Sequence, residues 1–227
     1  MQSKPPKTLN TIVYIDGLNL QYSLKNTPYT WLNVKGLVEN ILNLSLHKIS
    51  KIKYFTAFST KRDSAHRQFI YLKVLRTLPS IEIILGKHKK RQIIGRLIEY
   101  DHRLKREVIT GQTVKIFKPE EKETDVNIAS HIVYDCCKRN IDCIVLLSND
   151  TDLKTPLELV KYRLKKKVII ITPTKRLEKL GDPIYPNKPH IELRKLSKVN
   201  LRIEEHHLKK CQFPNLVNGI YKPKGWV

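Results

Sequence analysis

The sequence predicts an α/β protein, a three-layer α/β/α sandwich around a mainly parallel sheet. Short apolar runs rich in Val and Ile recur along the 227 residues, and each is continuous rather than alternating. Segments of helical periodicity separate most of them. A strand that is apolar on both sides is covered on both faces, and parallel strands joined by crossover helices achieve that.

"TIVYI" (11–15) reads as the first buried strand, followed by a polar loop and by "VKGLVENILNLSL", whose apolar residues fall at helical spacing. "KIKYFTAFS" (51–59) is the second strand, and "AHRQFIYLKVLRTL" is a helix closed by Pro79. "IEIIL" (81–85), "DCIVLLS" (142–148) and "KVIIIT" (167–172) complete the set. Before the last of these, "TPLE" (155–158) fits a capping box with Pro156 at the first helical position.

Residues 87–118 break the rhythm. "REVITGQTVKIF" resembles a two-stranded hairpin turning at Gly111-Gln112, an insertion flanked by basic residues. From about residue 174 the chain reads as a helical or irregular tail over the core. The expected organisation is a main domain over 1–175 and an extension over 176–227.

Composition narrows the function. Lys and Arg number 43 against 21 Asp and Glu, a net charge of +22 with clusters at "KHKKR", "HRLKR" and "KYRLKKK". Such a field suits a polyanion, nucleic acid above all; an anionic membrane surface has no evident amphipathic anchor here. No apolar run is long enough to span a bilayer, and "MQSKPPKTLN" lacks a signal-peptide core, so a cytoplasmic location is expected. Cys136, Cys137, Cys143 and Cys211 show no zinc-ligand spacing and read as reduced packing residues.

The acids are the chemical signal. Asp16 directly follows the first strand, and Asp150 and Asp152 in "NDTD" follow the fourth. Asp125 sits where "EKETDVNIASHIVYDCC" begins its helical pattern. Each has an ordinary structural reading, as a turn former, an N-cap or a partner of a helix dipole. Those readings leave unexplained why three separate segments deliver acids to one edge of the sheet. Ligands of open parallel sheets gather at the carboxyl ends of strands. Carboxylates meeting there repel unless a cation joins them, and an all-oxygen donor set suits magnesium.

The stretches "YIDGLNL", "EKETDVNIASHIVYD" and "VLLSNDTDLKTPLELVKYRLKKKVIIITP" resemble, in order and spacing, the three motifs of the NYN family of the PIN-like nuclease superfamily. "LKKCQFP" (208–214) is similar to the tail of a bacterial subgroup with the same "DVN…SND" variant. The resemblance implies a PIN-like, Rossmann-like topology with the first and fourth strands central. It also implies Mg²⁺- or Mn²⁺-dependent cleavage of RNA. Carried over by position, Asp16, Asp125, Asp150 and Asp152 become metal-site acids. Asn19 would orient water or a ligating carboxylate, and Ser148 and Asn149 would shape the strand-end loop and contact phosphate. Lys122 and His131 join the candidate substrate contacts. His131 stands where many relatives carry a further Asp. Six residues of ideal helix turn about 600°, so it does not share the face of Asp125, and a purely structural histidine is the alternative.

Three functions follow as expectations. The first is a metal-dependent ribonuclease with RNA as partner. The second is a nucleic-acid-binding protein with a degenerate site. The third, implied by relatives with this variant, is a pyridine-ring hydroxylase. A homodimer is also expected as a possible state.

Overall fold

The structure, a computed structural model, describes residues 8–138 and 140–226. Its centre is a six-stranded sheet in the order β3-β2-β1-β6-β7-β8, in which every neighbouring pair is parallel. The strands are β1 (Leu9–Asp16), β2 (His47–Thr56), β3 (Ile81–Leu85), β6 (Cys143–Leu147), β7 (Lys167–Thr172) and β8 (Val199–Arg202). The first strand and the fourth foreseen in the sequence, β1 and β6, are neighbours at the middle. From β1 the chain winds outward through β2 to β3; from β6 it winds the other way. The winding therefore reverses between β1 and β6, where the crevice of an open α/β sheet lies.

Alternate residues of the central strands enter two separate cores. Val13 and Ile15 of β1, with Val145 and Leu147 of β6, face α1 (Gly17–Ser23), α2 (Val34–Ile41) and α3 (Arg62–Arg76). Ile12 and Tyr14, with Ile144 and Leu146, face the other side. There they meet α4 (Thr124–Lys138), α5 (Lys154–Glu158) and α6 (Ile191–Leu196), through Ile128, Ile132, Leu157 and Leu193. This two-sided burial is why the strands read as continuous apolar runs.

Three local expectations need correction. The hairpin exists, as β4 (Lys87–Asp101) paired antiparallel with β5 (Arg106–Lys122), but its turn lies elsewhere. "REVITGQTVKIF" is one strand, and the chain reverses at His102–Lys105, where Asp101 Oδ1 accepts from the Arg103 and Leu104 amides. Gly111-Gln112 instead marks a bulge: Arg96 pairs with Thr113 and Ile98 with Ile109, leaving Leu97 opposite three residues. A strand glycine signals a bulge as readily as a turn. Next, the capping box at "TPLE" does not form. A 3-10 turn at Thr151–Leu153, capped by Asp150, starts the helical segment earlier, and Thr155 lies inside α5.

The third correction concerns the tail, which supplies β8 to the sheet as well as α6 and α7 (Glu205–Lys210). "LRI" is too short a run for periodicity to reveal a strand. Farther on, Phe213 N–H donates to the Trp31 carbonyl and Trp31 Nε1 donates to the Pro214 carbonyl. Trp31 thereby sits among Tyr71, Phe213 and Trp226, closing one core from outside. All four cysteines are free thiols. Among the described residues no helix is long and apolar enough to cross a membrane.

Candidate metal centre

Asp16 ends β1 at the centre of the sheet and is buried. Its Oδ1 accepts from the Asn19 amide at 2.9 Å, making it the N-cap of α1, and its Oδ2 accepts from Ser148 Oγ at 2.9 Å. Gly17 follows because nothing larger fits. A Cβ there would lie 2.6 Å from the Phe55 carbonyl oxygen and from the Tyr54 ring. The close approach of β2 thus fixes the backbone that aims Asp16.

Asp150 is delivered by the loop after β6. Its amide donates to Ser148 Oγ at 3.1 Å, and its Oδ1 accepts from the Asp152 amide at 3.0 Å. Ser148 therefore ties two acids together. Asp125 comes from the first turn of α4, whose entry is set by Glu121. The Glu121 carboxylate accepts from both the amide and the hydroxyl of Thr124. Gly86, at the end of β3, allows this corner to pack: a Cβ there would lie 2.5 Å from Thr124 Oγ1.

Each of Asp16, Asp125 and Asp150 offers one carboxylate oxygen, and these three atoms lie within 4.8 Å of one another. No ion pair among the described residues involves any of the three. The consequence is visible in their proton affinity. Burial, and then the neighbouring Asp16, Asp150, Glu121 and Asp152, push the Asp125 carboxyl up to about 6. Burial also raises Asp16, against the pull of the Asn19 amide and Ser148. Three oxygen donors with crowded, uncompensated charge form a set that a small divalent cation fits.

The family model for the NYN domain matches residues 10–182. The chain belongs to the NYN family. A curated relative, the 6-hydroxy-3-succinoylpyridine 3-monooxygenase HspA of Pseudomonas putida, is 27% identical over 96% of this chain and 75% of its own length. A crystal structure of a protein of unknown function, VPA0982 of Vibrio parahaemolyticus, covers 90% of this chain and 98% of its own. Its TM-score is 0.51 at 16% identity, a likeness of fold.

Around the three acids of this NYN domain, the other sequence candidates take distinct places. Asp152 is exposed in the 3-10 turn, close enough to raise Asp125 but outside the three-acid group. Asn19 Oδ1 accepts from the Asn149 amide at 3.3 Å, so it braces the β6 loop against α1. The Asn149 side chain is engaged with the tail, accepting from the His190 amide at 2.8 Å and donating to the Lys188 carbonyl at 3.3 Å. Ser148 is buried. Lys122 is exposed at the end of β5 and pairs with Glu120 at 3.0 Å.

His131 lies in a different environment. Its Nδ1 is 2.8 Å from Lys53 Nζ, and its ring meets Phe55 edge-on. Lys53 is itself paired with Asp135 at 2.6 Å, and Tyr14 OH donates to the same Asp135 oxygen at 2.9 Å. The histidine thus belongs to a buried polar network between β2 and α4. Glu121 is the neighbour of the site that reading the residues missed. Its position in "PEEKETD" gave the only signal, an acid three residues before a helix-opening Thr.

Proposed function

We propose that this NYN protein is a metal-dependent ribonuclease that hydrolyses RNA phosphodiester bonds at the Asp16–Asp125–Asp150 cluster. One observation carries the reading: three carboxylates from three distant segments meet within 4.8 Å at the carboxyl edge of the central strands. Family membership and the +22 charge support it, since the long-range field of such a chain concentrates a polyanion near its surface.

Asp16, Asp125 and Asp150 would hold the cation, Mg²⁺ or Mn²⁺, with Asp152 acting from outside. A divalent ion held there supplies charge stabilisation at the phosphoryl group and lowers the pKa of water. The chain's own residues do the rest. Ser148 and the Asn19 amide hold Asp16 in one orientation, and Asn19 fixes the loop that carries Asp150. Asp125, raised to about 6, changes its charge close to neutral pH. Lys122 is offered as an outer contact for RNA phosphate. In the reaction, water oxygen bonds to phosphorus, the bond to one ribose oxygen breaks, and that oxygen takes a proton.

The test incubates purified protein with mixed single-stranded RNAs and Mg²⁺, Mn²⁺ or a chelator. Cleavage restored by cation and lost in Asp16→Asn is expected. Cleavage by Asp16→Asn at the wild-type rate would overturn the assignment. Salt-dependent RNA binding with no turnover would instead mark a binding protein with a degenerate site.

The monooxygenase relative, aligned over 96% of this chain, favours a second reading, hydroxylation of a pyridine ring. That reaction places one oxygen atom of O₂ on the ring and reduces the other to water, so it consumes two electrons from a reduced nicotinamide or flavin. NADH oxidation dependent on 6-hydroxy-3-succinoylpyridine, with flavin added and no RNA cleavage, is the result that would select it.

A further inference from the structure

The hairpin is the part of the molecule that the proposed activity leaves unused. Its strands of 15 and 17 residues form a separate two-stranded sheet, an arm of about 50 Å if straight. A two-stranded ribbon alone is marginally stable in water and gains from a further layer.

One face is markedly apolar and open. Side chains of directly opposed residues share a face, so Gln92·Phe117, Ile94·Lys115, Arg96·Thr113, Ile98·Ile109 and Tyr100·Glu107 line up along it from root to tip. Ile94 is 68% exposed, Ile98 55%, Ile109 64% and Phe117 75%; on the opposite face Ile116 is 47% exposed, and Ile93, Leu97 and Val114 are half-buried. A patch this apolar on a soluble protein marks an interaction surface.

The occupant can be argued from chemistry. RNA is held through phosphates by Lys and Arg and through bases by aromatic stacking. Ile94, Ile98 and Ile109 serve neither purpose and suit the core of a protein–protein interface. Arg96, Lys115, Tyr100 and Phe117 on the same face make RNA the competing occupant that the experiment must separate. Two of the three charges along the face, Lys115 and Glu107, are complementary under a twofold. The third, Arg96, then lies against Ile98 of the second copy, its stem on the apolar surface and its head at the rim. Lys115 lies toward the root and Glu107 toward the tip, and neither makes an ion pair within the chain among the described residues. Place a twofold axis across the ribbon between the Arg96·Thr113 and Ile98·Ile109 pairs. Each Glu107 then falls opposite the Lys115 of a second chain, each Ile94 opposite its Tyr100, and both relations occur twice. An isologous contact requires such reciprocity.

We infer that the open face of the β4–β5 hairpin, with Ile94, Ile98 and Ile109 about its centre and Phe117 at its root end, pairs antiparallel with the same face of a second copy of this chain. The inference is independent of what the three-acid site does.

Sedimentation velocity on the intact protein over a range of concentrations reads the mass directly. A dimer is expected for the wild type. Glu107→Lys and Lys115→Glu should each weaken it tenfold or more, since each places two pairs of like charges together. The combined Glu107→Lys/Lys115→Glu protein should regain most of the loss, a recovery that misfolding cannot imitate. Ile98→Asp should be monomeric while its thermal unfolding stays cooperative. A wild type that is monomeric at every concentration overturns the inference, as does a dimer indifferent to both charge reversals. Loss of RNA binding in Ile98→Asp from a monomeric wild type would give the face to RNA instead.

Discussion

Ser148 Oγ donates to Asp16 Oδ2 across 2.9 Å, joining the ends of the two central strands through a single buried hydroxyl. The same oxygen accepts the Asp150 amide at 3.1 Å, so one side chain sets the relation of two of the three clustered acids. Ser148→Ala removes both contacts. We expect a loss of about 1–2 kcal/mol of stability, read by chemical denaturation, because two buried groups lose a partner. Mn²⁺ affinity, measured by calorimetry, should fall about tenfold, the usual cost of removing a group that orients a metal ligand.

Asp16→Asn separates function from stability. The buried Asp16 carboxyl is raised by desolvation, so its charge disfavours the metal-free fold. The neutral amide should leave the melting temperature unchanged or higher while RNA cleavage drops by about 100-fold or more. A parallel fall in both would mean the variant merely unfolds.

The response to pH follows from the same crowding. Asp125 has a carboxyl raised to about 6, and Asp16 is raised as well. A raised acid contributes stability that is complete below its unfolded value near 3.8 and is lost as pH rises through its folded value. Without metal, the protein should therefore lose stability from about pH 4 to pH 6 and little more above 7. A cation competes with these protons, so Mn²⁺ should bind about tenfold more tightly per pH unit below 6 and level off above 7. The shift in melting temperature caused by saturating Mn²⁺ should accordingly be larger at pH 7.5 than at pH 5. Equal shifts at both would place the bound ion elsewhere.

Asp150 and Asp152 share one short loop but not one task. Asp150 offers an oxygen to the three-acid group, whereas Asp152 lies exposed and outside it. Asp150→Asn should lower cleavage about 100-fold, and its amide oxygen can still accept from the Asp152 amide, so the fold should hold. Asp152→Asn should lower cleavage less than tenfold, with a weaker Mg²⁺ dependence as the main change. Kinetics over a magnesium series distinguishes the two.

How far the sequence announces this arrangement depends on the range of the interaction. "TIVYI", "IVLLS" and "KVIIIT" are buried on both faces, so composition alone exposes them, and the acids after the first two are legible with them. Asp16 and Asp150 meet because the winding reverses between β1 and β6, a central placement of the first and fourth strands that the family resemblance, not the strand pattern, implies. Features set by contacts across the chain are not legible in this way. β8 owes its pairing to β7 rather than to its own pattern, and Gly111 carries the same residue type whether it turns a strand or bulges it. Lys53 reads as a surface residue in "KIKYF", yet it is buried, because Asp135, 82 residues later, lies beside it.

That buried pair supports the last expectation. Lys53 and Asp135 are 2% and 0% exposed and 2.6 Å apart, with Tyr14 OH on the same carboxylate oxygen and His131 Nδ1 on the ammonium. Removing one member of such a pair leaves the other charged in a dry interior, at a cost of about 3–5 kcal/mol. Lys53→Met should lower the melting temperature by roughly 10 °C, for a chain of this size. The double replacement Lys53→Met/Asp135→Leu should recover most of it, since neither charge then remains. His131→Asn removes only one contact of the ammonium and should cost about 1 kcal/mol. Because none of these groups belongs to the three-acid cluster, cleavage by folded His131→Asn should stay within about threefold of wild type. A steep loss of turnover in that variant, at unchanged melting temperature, would instead bring His131 into contact with RNA.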